Sequence, residues 1–523
     1  MKLSIRTIKV MLLALGLTMI NPSAFSQDRF NVRYNVEPYP STILTSVLEL
    51  QDGYSTLGTL IDTVESVNGR VTVFSKFDSV GEALFHKTYG GVENGPDRWL
   101  NSANDDLAFL NDSTLISSVR SIDENDIHQY LLFKYNLDGD TVSSMRFYSP
   151  TIDQDDFVGI AQVVKSSDSN LLLRVNNSTG FFGTGGDFFI EKLTPEGESL
   201  WQYLYATPQS PDYNYVLIPT DSGGAIIIPS LIDEDETPVI NHLVIELDSI
   251  GQLVHNEVTD FDYSSGSIRD ALLDNQHLVA VSTLRNGEEQ EYHPALVKMT
   301  MDGEPLWHVP AWPGDFNYWH RGKRVIKTQD GQYLLGGDYR TDVEGGFNWH
   351  QQDAFLSKYS TDGEVLWHRK YTFLDSERHH HTLQDLEPTS DGGYIFCGES
   401  RDDTSEAIEP TQQGWLVKLD QYGCLVEGCH LSDNIEEQAA DQKYFKAGPN
   451  PAADFLNIYQ TKALDNSHTY QLHDIKGNLL EHFPAADFQT TFMLPVHQYA
   501  SGTYILSLLE NGSPLQREKV ILH

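Results

Sequence analysis

A short pattern of turns and apolar runs recurs seven times along the chain. Each copy has an acidic turn between two apolar runs and then a turn glycine, which follows a run that ends in a basic or acidic residue and an apolar one. The acidic residues are Asp52, Asp112, Asp168, Asp221, Asp274, Asp330 and Asp391, and the glycines are Gly81, Gly139, Gly197, Gly251, Gly303, Gly363 and Gly423. Marks of one kind lie 52 to 61 residues apart. A repeat of this length is typical of architectures in which each copy forms one small sheet.

The sixth copy shows why each unit is predicted to contain four strands. Apolar runs flank the turn Asp330-Gly331, and a second pair of runs flanks Asp362-Gly363. Asp-Gly between short β-branched or aromatic runs favours a hairpin, because Gly adopts a positive φ without a Cβ clash. Two hairpins in series give four antiparallel strands per unit.

We predict an all-β chain, with a seven-bladed β-propeller followed by a small C-terminal β-sandwich. Propellers usually have four to eight blades, and a closed ring leaves only short strand edges. A pair of unrelated sandwiches fits the regular spacing less well. Trp201, Trp307 and Trp367 recur four positions after their turn glycines and are predicted to pack between blades. Residues 27–44 either add a strand that helps to close the ring or form a short tail.

The charge of the chain limits its partners. Its 523 residues include 35 Lys and Arg against 75 Asp and Glu, a formal net charge of −40. Such a surface repels phosphate backbones and anionic lipid, so nucleic acid is not an expected partner. Solubility is the usual reason for this charge, and cation binding is the alternative.

Residues 1–26 have the pattern of a signal peptide. Lys2, Arg6 and Lys9 provide a basic start, residues 10–20 are apolar, and Ala24-Phe25-Ser26 is a small-x-small cleavage site. We therefore expect an exported mature chain whose propeller spans residues 27–429. Later apolar runs fall short of about 18 residues, so no transmembrane helix is predicted.

Three cysteines occur in the chain. Cys424 and Cys429 are close enough in sequence for a small disulfide loop in an oxidising exterior. A metal site at this pair would need further thiol or imidazole ligands. Cys397 follows Phe396 in a predicted strand and is interpreted as a small buried apolar residue.

The last part of the chain has a different composition and a recognisable pattern. Residues 430–443 are predicted to be a linker, and residues 444–523 a separate β-sandwich. Within the latter, the pattern consists of Pro449, Asn450, Pro451, Gly477, Gly502 and Lys519. It resembles the type A C-terminal sorting domain of type IX secretion substrates in the Bacteroidota. The resemblance implies export by the type IX machinery, removal of the tail, and release or attachment at the cell surface.

The repeats also resemble exported propeller-like proteins that carry this tail, in which Asp-Gly-Gly-Tyr and Val-Lys-Leu-Asp recur. Here these words occur at residues 391–394 and 417–420. This resemblance names no ligand.

Catalytic and metal-binding patterns are sparse. The chain has no Gly-x-Ser-x-Gly elbow, His-Glu-x-x-His pattern or phosphate-binding Gly-rich loop. The run His379-His380-His381 alternates in direction on an extended segment, so we predict no metal site there. The acidic runs 153–156 and 233–236 lack the spacing of a calcium loop. We expect no cofactor, and calcium binding stays open without a motif to support it.

The predicted working face is the rim on which the long connections gather. Short Asp-Gly turns alternate with long connections, so all long connections leave one edge of the ring, where function is commonly found. The aromatic residues in these connections are Trp99, Tyr213, Tyr215, Trp312, Phe316, Tyr318, Trp319, Phe347 and Trp349. The predicted ligand-binding residues are Trp312, Asp315, Trp319, Trp349 and His350. The alternative is that the rings are lids over the blade ends.

Two functions remain open from the sequence. The first is a non-catalytic, exported binding or adhesion protein that holds a glycan or a surface protein. The second is a polysaccharide hydrolase or lyase with its site at the propeller mouth. Convergence in a central pocket would favour catalysis. The residues to examine for it are Asp315, His320, His350, Glu377, His380 and Asp402.

Overall fold

The computed structural model describes most of the chain after the predicted signal peptide, in segments. These are residues 29–62, 69–90, 99–102, 107–122, 128–147, 157–178, 188–205, 211–233, 239–259, 268–285, 292–312, 321–342, 350–374, 376, 378–403, 412–426, 428–431, 444–448, 452, 455–460, 464–465, 467–474, 479–485, 491–510 and 513–522. The signal peptide and the predicted linker from residue 432 onward lie outside these segments.

The described chain is all-β, apart from a single 3-10 turn at Cys429–Leu431. A first strand, β1 (Phe30–Tyr34), precedes the repeats. Unit 1 contains β2 (Ser41–Leu50), β3 (Gly53–Asp62), β4 (Gly69–Phe77) and β5 (Ala83–Tyr89). Unit 2 contains β6 (Trp99–Ser102), β7 (Ala108–Asn111), β8 (Thr114–Ile122), β9 (His128–Asn136) and β10 (Thr141–Phe147). Unit 3 contains β11 (Phe157–Lys165), β12 (Leu171–Ser178), β13 (Phe188–Leu193) and β14 (Ser199–Tyr205).

The remaining units follow the same plan. Unit 4 contains β15 (Pro211–Pro219), β16 (Ala225–Asp233), β17 (Val239–Leu247) and β18 (Leu253–Thr259). Unit 5 contains β19 (Asp270–Asp274), β20 (His277–Arg285), β21 (Tyr292–Thr300) and β22 (Pro305–Pro310). Unit 6 contains β23 (Arg321–Lys327), β24 (Tyr333–Asp342), β25 (His350–Tyr359) and β26 (Val365–Tyr371). Unit 7 contains three strands, β27 (His379–Pro388), β28 (Tyr394–Asp402) and β29 (Gln412–Leu419).

Sheet order follows chain order within the units. Units 3, 4 and 5 each form a four-stranded antiparallel sheet, while β10-β9-β8-β6 with β7 beside β8 makes the sheet of unit 2. Units 6, 7 and 1 are joined in one twelve-stranded sheet through single parallel pairs, Gln352 with His380 and Ser41 with Gln412. The cores lie between neighbouring units. Phe188 and Ile190 of unit 3, for example, pack in one cluster with Ile227 and Ile245 of unit 4.

The N-terminal strand adds to the sheet of the last unit. β1 pairs antiparallel with β29 along its whole length, from Phe30 opposite Lys418 to Tyr34 opposite Gly414. The first described strand of the chain is therefore the fourth strand on the sheet of the last unit. Arg29 extends this junction, with its guanidinium 3.0 Å from the Asp420 carboxylate.

A buried lysine recurs near the end of the third strand. In unit 7, the Lys418 ammonium lies 2.8 Å from Asp391 in the first turn, and its side chain is only 1 % exposed. Burial opposes ionisation of Asp391, but hydrogen bonds from Lys418, Thr389 and the Gly393 N–H outweigh it and lower the pKa of this carboxyl. The equivalent pairs are Lys76 with Asp52, Lys192 with Asp168, and Lys358 with Asp330.

The same lysine also reaches the next unit along the chain. Lys358 donates to the hydroxyl of Tyr394, and Lys298 of unit 5 donates to the hydroxyl of Tyr333. The recurring words Asp-Gly-Gly-Tyr and Val-Lys-Leu-Asp thus have a structural meaning. Asp and Lys pair within one unit, and Tyr receives the lysine of the unit before it.

The recurring tryptophans pack between units, as the sequence predicts. Opposite Lys192, Lys298 and Lys358, a fourth-strand tryptophan lies over the second-turn glycine of the next unit. A Cβ added at Gly251, where φ is +80°, would lie 2.7 Å from the Trp201 ring. Trp307 covers Gly363 and Trp367 covers Gly423 in the same way. Small residues at these turns are therefore required by both backbone conformation and the neighbouring ring.

The tail has its own core. Its strands are β30 (Phe445–Gly448), β31 (Phe455–Gln460), β32 (His468–Asp474), β33 (Leu479–Pro484), β34 (Thr491–Pro495), β35 (Gly502–Glu510) and β36 (Ser513–Leu522). They form two sheets, β30-β31-β34 and β33-β32-β35-β36. Leu456, Ile458, Tyr470, Leu472 and Leu506 are completely buried between them. None of the described helical segments is long and apolar enough to cross a membrane.

We predict that the buried pair stabilises each unit only as a pair. Asp391→Ala leaves the Lys418 ammonium without its carboxylate partner, although the lysine side chain is only 1 % exposed. This variant should lower the free energy of unfolding by about 2–4 kcal/mol. Asp391→Ser combined with Lys418→Met removes both charges and should recover most of that loss. The measurement is denaturant unfolding of both variants, with Asp140→Ala at the more exposed Lys87 pair as control. Equal destabilisation by the single and double variants would contradict this account.

Candidate functional site

The predicted rim is only partly within the described residues. Asp315, Trp319 and Trp349 lie outside them, and His350 is described by its backbone alone, as the first residue of β25. Trp312 is the one predicted ligand residue whose side chain is described. The acidic runs considered for calcium, 153–156 and 233–236, also lie outside the described side chains.

Trp312 is half-buried in an aromatic cluster rather than free at the surface. Its ring centroid lies 5.4 Å from Tyr339, 5.6 Å from Phe355 and 5.3 Å from His368. The Lys370 ammonium lies 3.2 Å from the Tyr339 ring centroid and 5.4 Å from that of Trp312. These contacts give Trp312 a packing role at the junction of units 5 and 6, which agrees with the interpretation of this ring as a lid.

His368 shows how closed this cluster is. Burial lowers the pKa of His368 to about 4, so its imidazole is neutral at pH 7. Its Nδ1 lies 2.7 Å from Ser357 Oγ, which itself donates to the carbonyl of Ala311. The Ser357 hydroxyl therefore accepts a hydrogen bond from the His368 N–H and donates one to the carbonyl of Ala311, the residue before Trp312.

The histidine run separates into two faces, as expected for an extended strand. His379 and His381 lie on one side with ring centroids 4.9 Å apart. His380 has its Nε2 3.2 Å from Asp403, a carboxylate that also binds Arg401 at 2.8 Å. Burial, and then the charge of Arg401, lower the pKa of His380.

Asp353, His379 and His381 form the one group of metal-ligating side chains within the described residues whose ligand atoms lie within 4.8 Å of one another. His379 Nε2 is 2.8 Å from Asp353 Oδ1, and its Nδ1 is 2.6 Å from the Ser376 carbonyl. Both ring nitrogens of His379 therefore already face oxygen atoms. A metal ion at either nitrogen would have to break one of these contacts.

Both ring nitrogens of His381 face backbone groups. Its Nε2 accepts hydrogen bonds from the N–H groups of Phe373, at 3.0 Å, and Leu374, at 3.1 Å. The proton of the neutral ring is then on Nδ1, which faces the Gln352 carbonyl at 3.3 Å. Coordination through Nδ1 would move this proton to Nε2, against two N–H donors. The group therefore acts as a lock that fixes the connection between units 6 and 7.

Of the six candidate catalytic residues, His380 and Asp402 are those whose side chains are described. Asp315, His320 and Glu377 lie outside the described residues. His380 pairs with Asp403, and Asp402 lies opposite His379 across β27 and β28. The described part of the chain thus places these two residues in structural pairs along the strands.

The cysteines are arranged as a disulfide and a buried thiol. Cys424 and Cys429 are bonded, with their Cα atoms 5.6 Å apart. His430, next to the bridge, stacks on Tyr422 with ring centroids 3.7 Å apart. Cys397 is free and completely buried in β28.

The tail residues singled out from the sequence fall at strand boundaries or outside the described part. Gly502 begins β35 opposite Leu522, and Lys519 on β36 lies opposite Ile505. Pro449, Asn450, Pro451 and Gly477 lie outside the described residues. With this sandwich in place, comparison with family models gives a match to the secretion system C-terminal sorting domain over residues 446–523.

This segment is a type IX sorting domain. The sorting domain indicates a secreted or cell-surface protein. Comparison of the chain with curated protein sequences gives no match.

Solved structures similar to the chain include several β-propellers. One is the propeller domain of the Trilobed protease from Pyrococcus furiosus, at 8% identity and TM-score 0.40, covering 75% of this chain and 98% of that one. Another is the WD40 domain of SCAP from fission yeast, at 9% identity and TM-score 0.34, covering 76% and 99%. Pyrococcus horikoshii acylaminoacyl peptidase is similar at 12% identity and TM-score 0.38, covering 81% of this chain and 58% of that one.

The sequence did not predict two clusters described above, that of Trp312 and that of Asp353, His379 and His381. The lock formed by His381 on Phe373 and Leu374 depends on backbone N–H groups, which carry no sequence signal. The Trp312 cluster depends on residues from two units. The alternation of His379 and His381 with His380 was the one signal that located the lock, and it correctly separates the two faces.

We predict a pH dependence from His381. Burial, and then the nearby charge of His379, lower the pKa of His381 to about 4 from 6.5. The unfolded chain then binds this proton more readily than the folded one, so stability is complete above about pH 6.5 and declines as the pH falls toward about 4. His381→Gln keeps a hydrogen-bond acceptor but removes the titration.

The measurement is the melting temperature between pH 7 and pH 4. We expect His381→Gln to melt below the wild type at pH 7 and to show a flatter decline with acid. His86→Gln, at an exposed histidine, is the matched control and should follow the wild-type curve. A decline in His381→Gln as steep as in the wild type would show that the lock does not respond to pH.

Proposed function

We propose that residues 27–429 form a seven-bladed propeller closed by β1. Phe30 on β1 lies opposite Lys418, in the same register as Trp367 opposite Lys358. Phe30 covers Gly81 of unit 1, as Trp367 covers Gly423 of unit 7.

The aromatic contact to the next unit repeats as well. The Phe30 and Tyr54 ring centroids are 5.7 Å apart, and those of Trp367 and Tyr394 are 6.4 Å apart. The N-terminal strand thus makes toward unit 1 the contacts that a fourth strand makes toward each following unit. Together with the pairing of β1 on β29, this repetition supports a closed ring.

On this scaffold we propose an exported, non-catalytic binding or adhesion protein. The sorting domain at residues 446–523 supports delivery to the cell surface or the medium. The linker over residues 430–443 would separate the propeller from this address. The single observation that carries a binding role is the separation of the two ends of each sheet. Short turns hold the buried lysines at one end, and every long connection leaves from the other.

The chemistry at the described part of this rim favours binding over catalysis. His368, His379 and His381 are occupied by hydrogen bonds to Ser357, Asp353 and backbone groups. Bases held in this way stabilise the scaffold and are poorly placed to take a proton from a substrate. A hydrolase or lyase at the propeller mouth remains the second candidate, which turnover would reveal.

The proposed ligand is a glycan or a glycosylated surface. Trp319 and Trp349 would cover the apolar faces of sugar rings, and Asp315 and His350 would bond to hydroxyls. Trp312, predicted from sequence as a third contact, belongs to the packed cluster beside Tyr339. Its role in binding remains a proposal, and its packing makes it a useful control.

We predict that Trp319 and Trp349 contribute to binding, whereas Trp312 contributes to stability. Tryptophans at the centre of an interface often contribute about 2 kcal/mol each, so Trp319→Ala with Trp349→Ala should weaken binding more than about a hundredfold. The melting temperature should stay close to that of the wild type. Trp312→Ala should instead lower the melting temperature, because its ring fills a cluster of three other rings.

The measurement is a glycan array and a cell-surface binding assay of the mature chain, with melting curves of every variant. Turnover of a bound polysaccharide by the wild type would establish the enzymatic alternative. If the wild type binds nothing, or if the double variant melts as early as Trp312→Ala, the rings are lids and the binding role is wrong.

A further inference from the structure

A cavity of about 1020 Å³ opens at the end of the sheets opposite the long connections. First strands of units 3 to 6 line it, together with turns of units 4 and 5. Because short turns border it, this cavity is separate from the proposed glycan rim. One charged side chain in its wall, Glu246 on β17, breaks the pattern of the repeats.

In the other units, this position holds a positive charge. Lys192 lies opposite Leu172 and Trp201 in unit 3. Its ammonium is 2.5 Å from the Asp168 carboxylate and 2.5 Å from the Gly223 carbonyl of the next unit. A third acceptor, the Ser249 carbonyl, lies at 3.4 Å. The junction between two units is therefore a cage of oxygen atoms around an ammonium group.

Unit 4 has lost both members of the ion pair. Glu246 lies opposite Ile226 and His255, in the register of Lys192. The turn of unit 4 closes with Gly223 N–H donating to the Thr220 carbonyl, as Ser169 N–H donates to the Ser166 carbonyl in unit 3. By this alignment Ser222 takes the place of Asp168. Glu246 therefore occupies the position of the lysine, and Ser222 occupies the position of the aspartate that pairs with it.

Within the described part of the chain, the Glu246 carboxylate has no hydrogen-bond or ion-pair partner, although its side chain is half-buried. Asp221 and Asp302 also line the cavity, and so do Asp270 and Arg324, whose guanidinium lies 3.2 Å from the Asp270 carboxylate. A half-buried carboxylate beside other acceptors is costly without a cation. The site thus combines a half-buried carboxylate at the position of the missing lysine with an open volume.

We propose that this cavity binds a primary ammonium group, which takes the position of the missing lysine. The group would come from a lysine side chain of a partner or from a free diamine. An ammonium fits better than calcium, which needs six to eight oxygen ligands at short distance. Among the described residues, Glu246, Asp221 and Asp302 do not bring ligand atoms within 4.8 Å of one another.

The test is calorimetric titration of the mature chain with 1,5-diaminopentane at physiological salt. We expect saturable binding that Glu246→Gln weakens by about tenfold or more, because a charged hydrogen bond is lost. Glu198→Gln, at an exposed glutamate outside the cavity, removes the same charge and should leave binding unchanged. Tetramethylammonium has no N–H donor and should not bind.

A second variant separates binding from folding. Ser222→Asp with Glu246→Lys installs the pair that units 1, 3, 6 and 7 carry, so it should abolish diamine binding and raise the melting temperature. Gly-Lys-Gly, compared with its Nε-acetylated form, distinguishes the two sources. Tighter binding of the unmodified peptide than of the diamine indicates a partner's lysine, and the reverse order indicates a free amine.

Four results would overturn the proposal. The first three are absence of diamine binding to the wild type, equal binding by Glu246→Gln, and a Glu246-dependent site that takes calcium chloride but not the amine. The fourth is a folded Ser222→Asp/Glu246→Lys variant that still binds the diamine.

Discussion

The structure depends on a lysine ammonium buried at the boundary between two units. Lys192 and Lys418 are each 1 % exposed in their side chains, and both are paired with an aspartate of the first turn. A buried charge without partners would cost several kcal/mol, so the lysine, the turn aspartate and the neighbouring carbonyls must be kept together. This constraint explains why the same words recur in a chain whose loops vary. It also joins each unit to the next through polar contacts as well as apolar packing.

The same constraint separates scaffold from function. The short-turn ends of units 3, 5, 6 and 7 are filled by lysine, tyrosine or tryptophan contacts, so variation there is costly. The long connections leave from the other end. Unit 4 is informative because it breaks the rule at the short-turn end, with Glu246 facing a cavity. A departure from an otherwise repeated structural pair is a physical reason to look for a ligand at a second surface.

Much of the fold could be predicted because its signals are local. The turns at Asp330 and Asp391, for example, follow from Asp-Gly chemistry. The mark assigned to unit 4 at Asp221 was wrong by one residue, since hydrogen bonding aligns Ser222 with Asp168. When Asp221 and Ser222 stand side by side, the sequence does not show which of them occupies the position that pairs with the lysine in other units.

Long-range contacts were beyond the sequence. β1 is only five residues long, and its partner strand begins at Gln412, so no local pattern indicates that pairing. The Trp312 cluster likewise depends on packing between units, and its half-buried ring does not match a simple ligand contact. The proposed rim residues Asp315, Trp319 and Trp349 remain predictions, since the sequence shows that they lie in two connections of one repeat but not how they meet.

The central claim is that the N-terminal strand closes the repeats into one ring. The most direct test removes residues 27–35 and then supplies them as a synthetic peptide. Removal exposes the edge of β29 and uncovers Gly81 and Tyr54, which Phe30 contacts. We predict a lower melting temperature for the shortened chain, saturable binding of the peptide and recovery of the original melting temperature. A shortened chain that melts with the full one and ignores the peptide would contradict closure by β1.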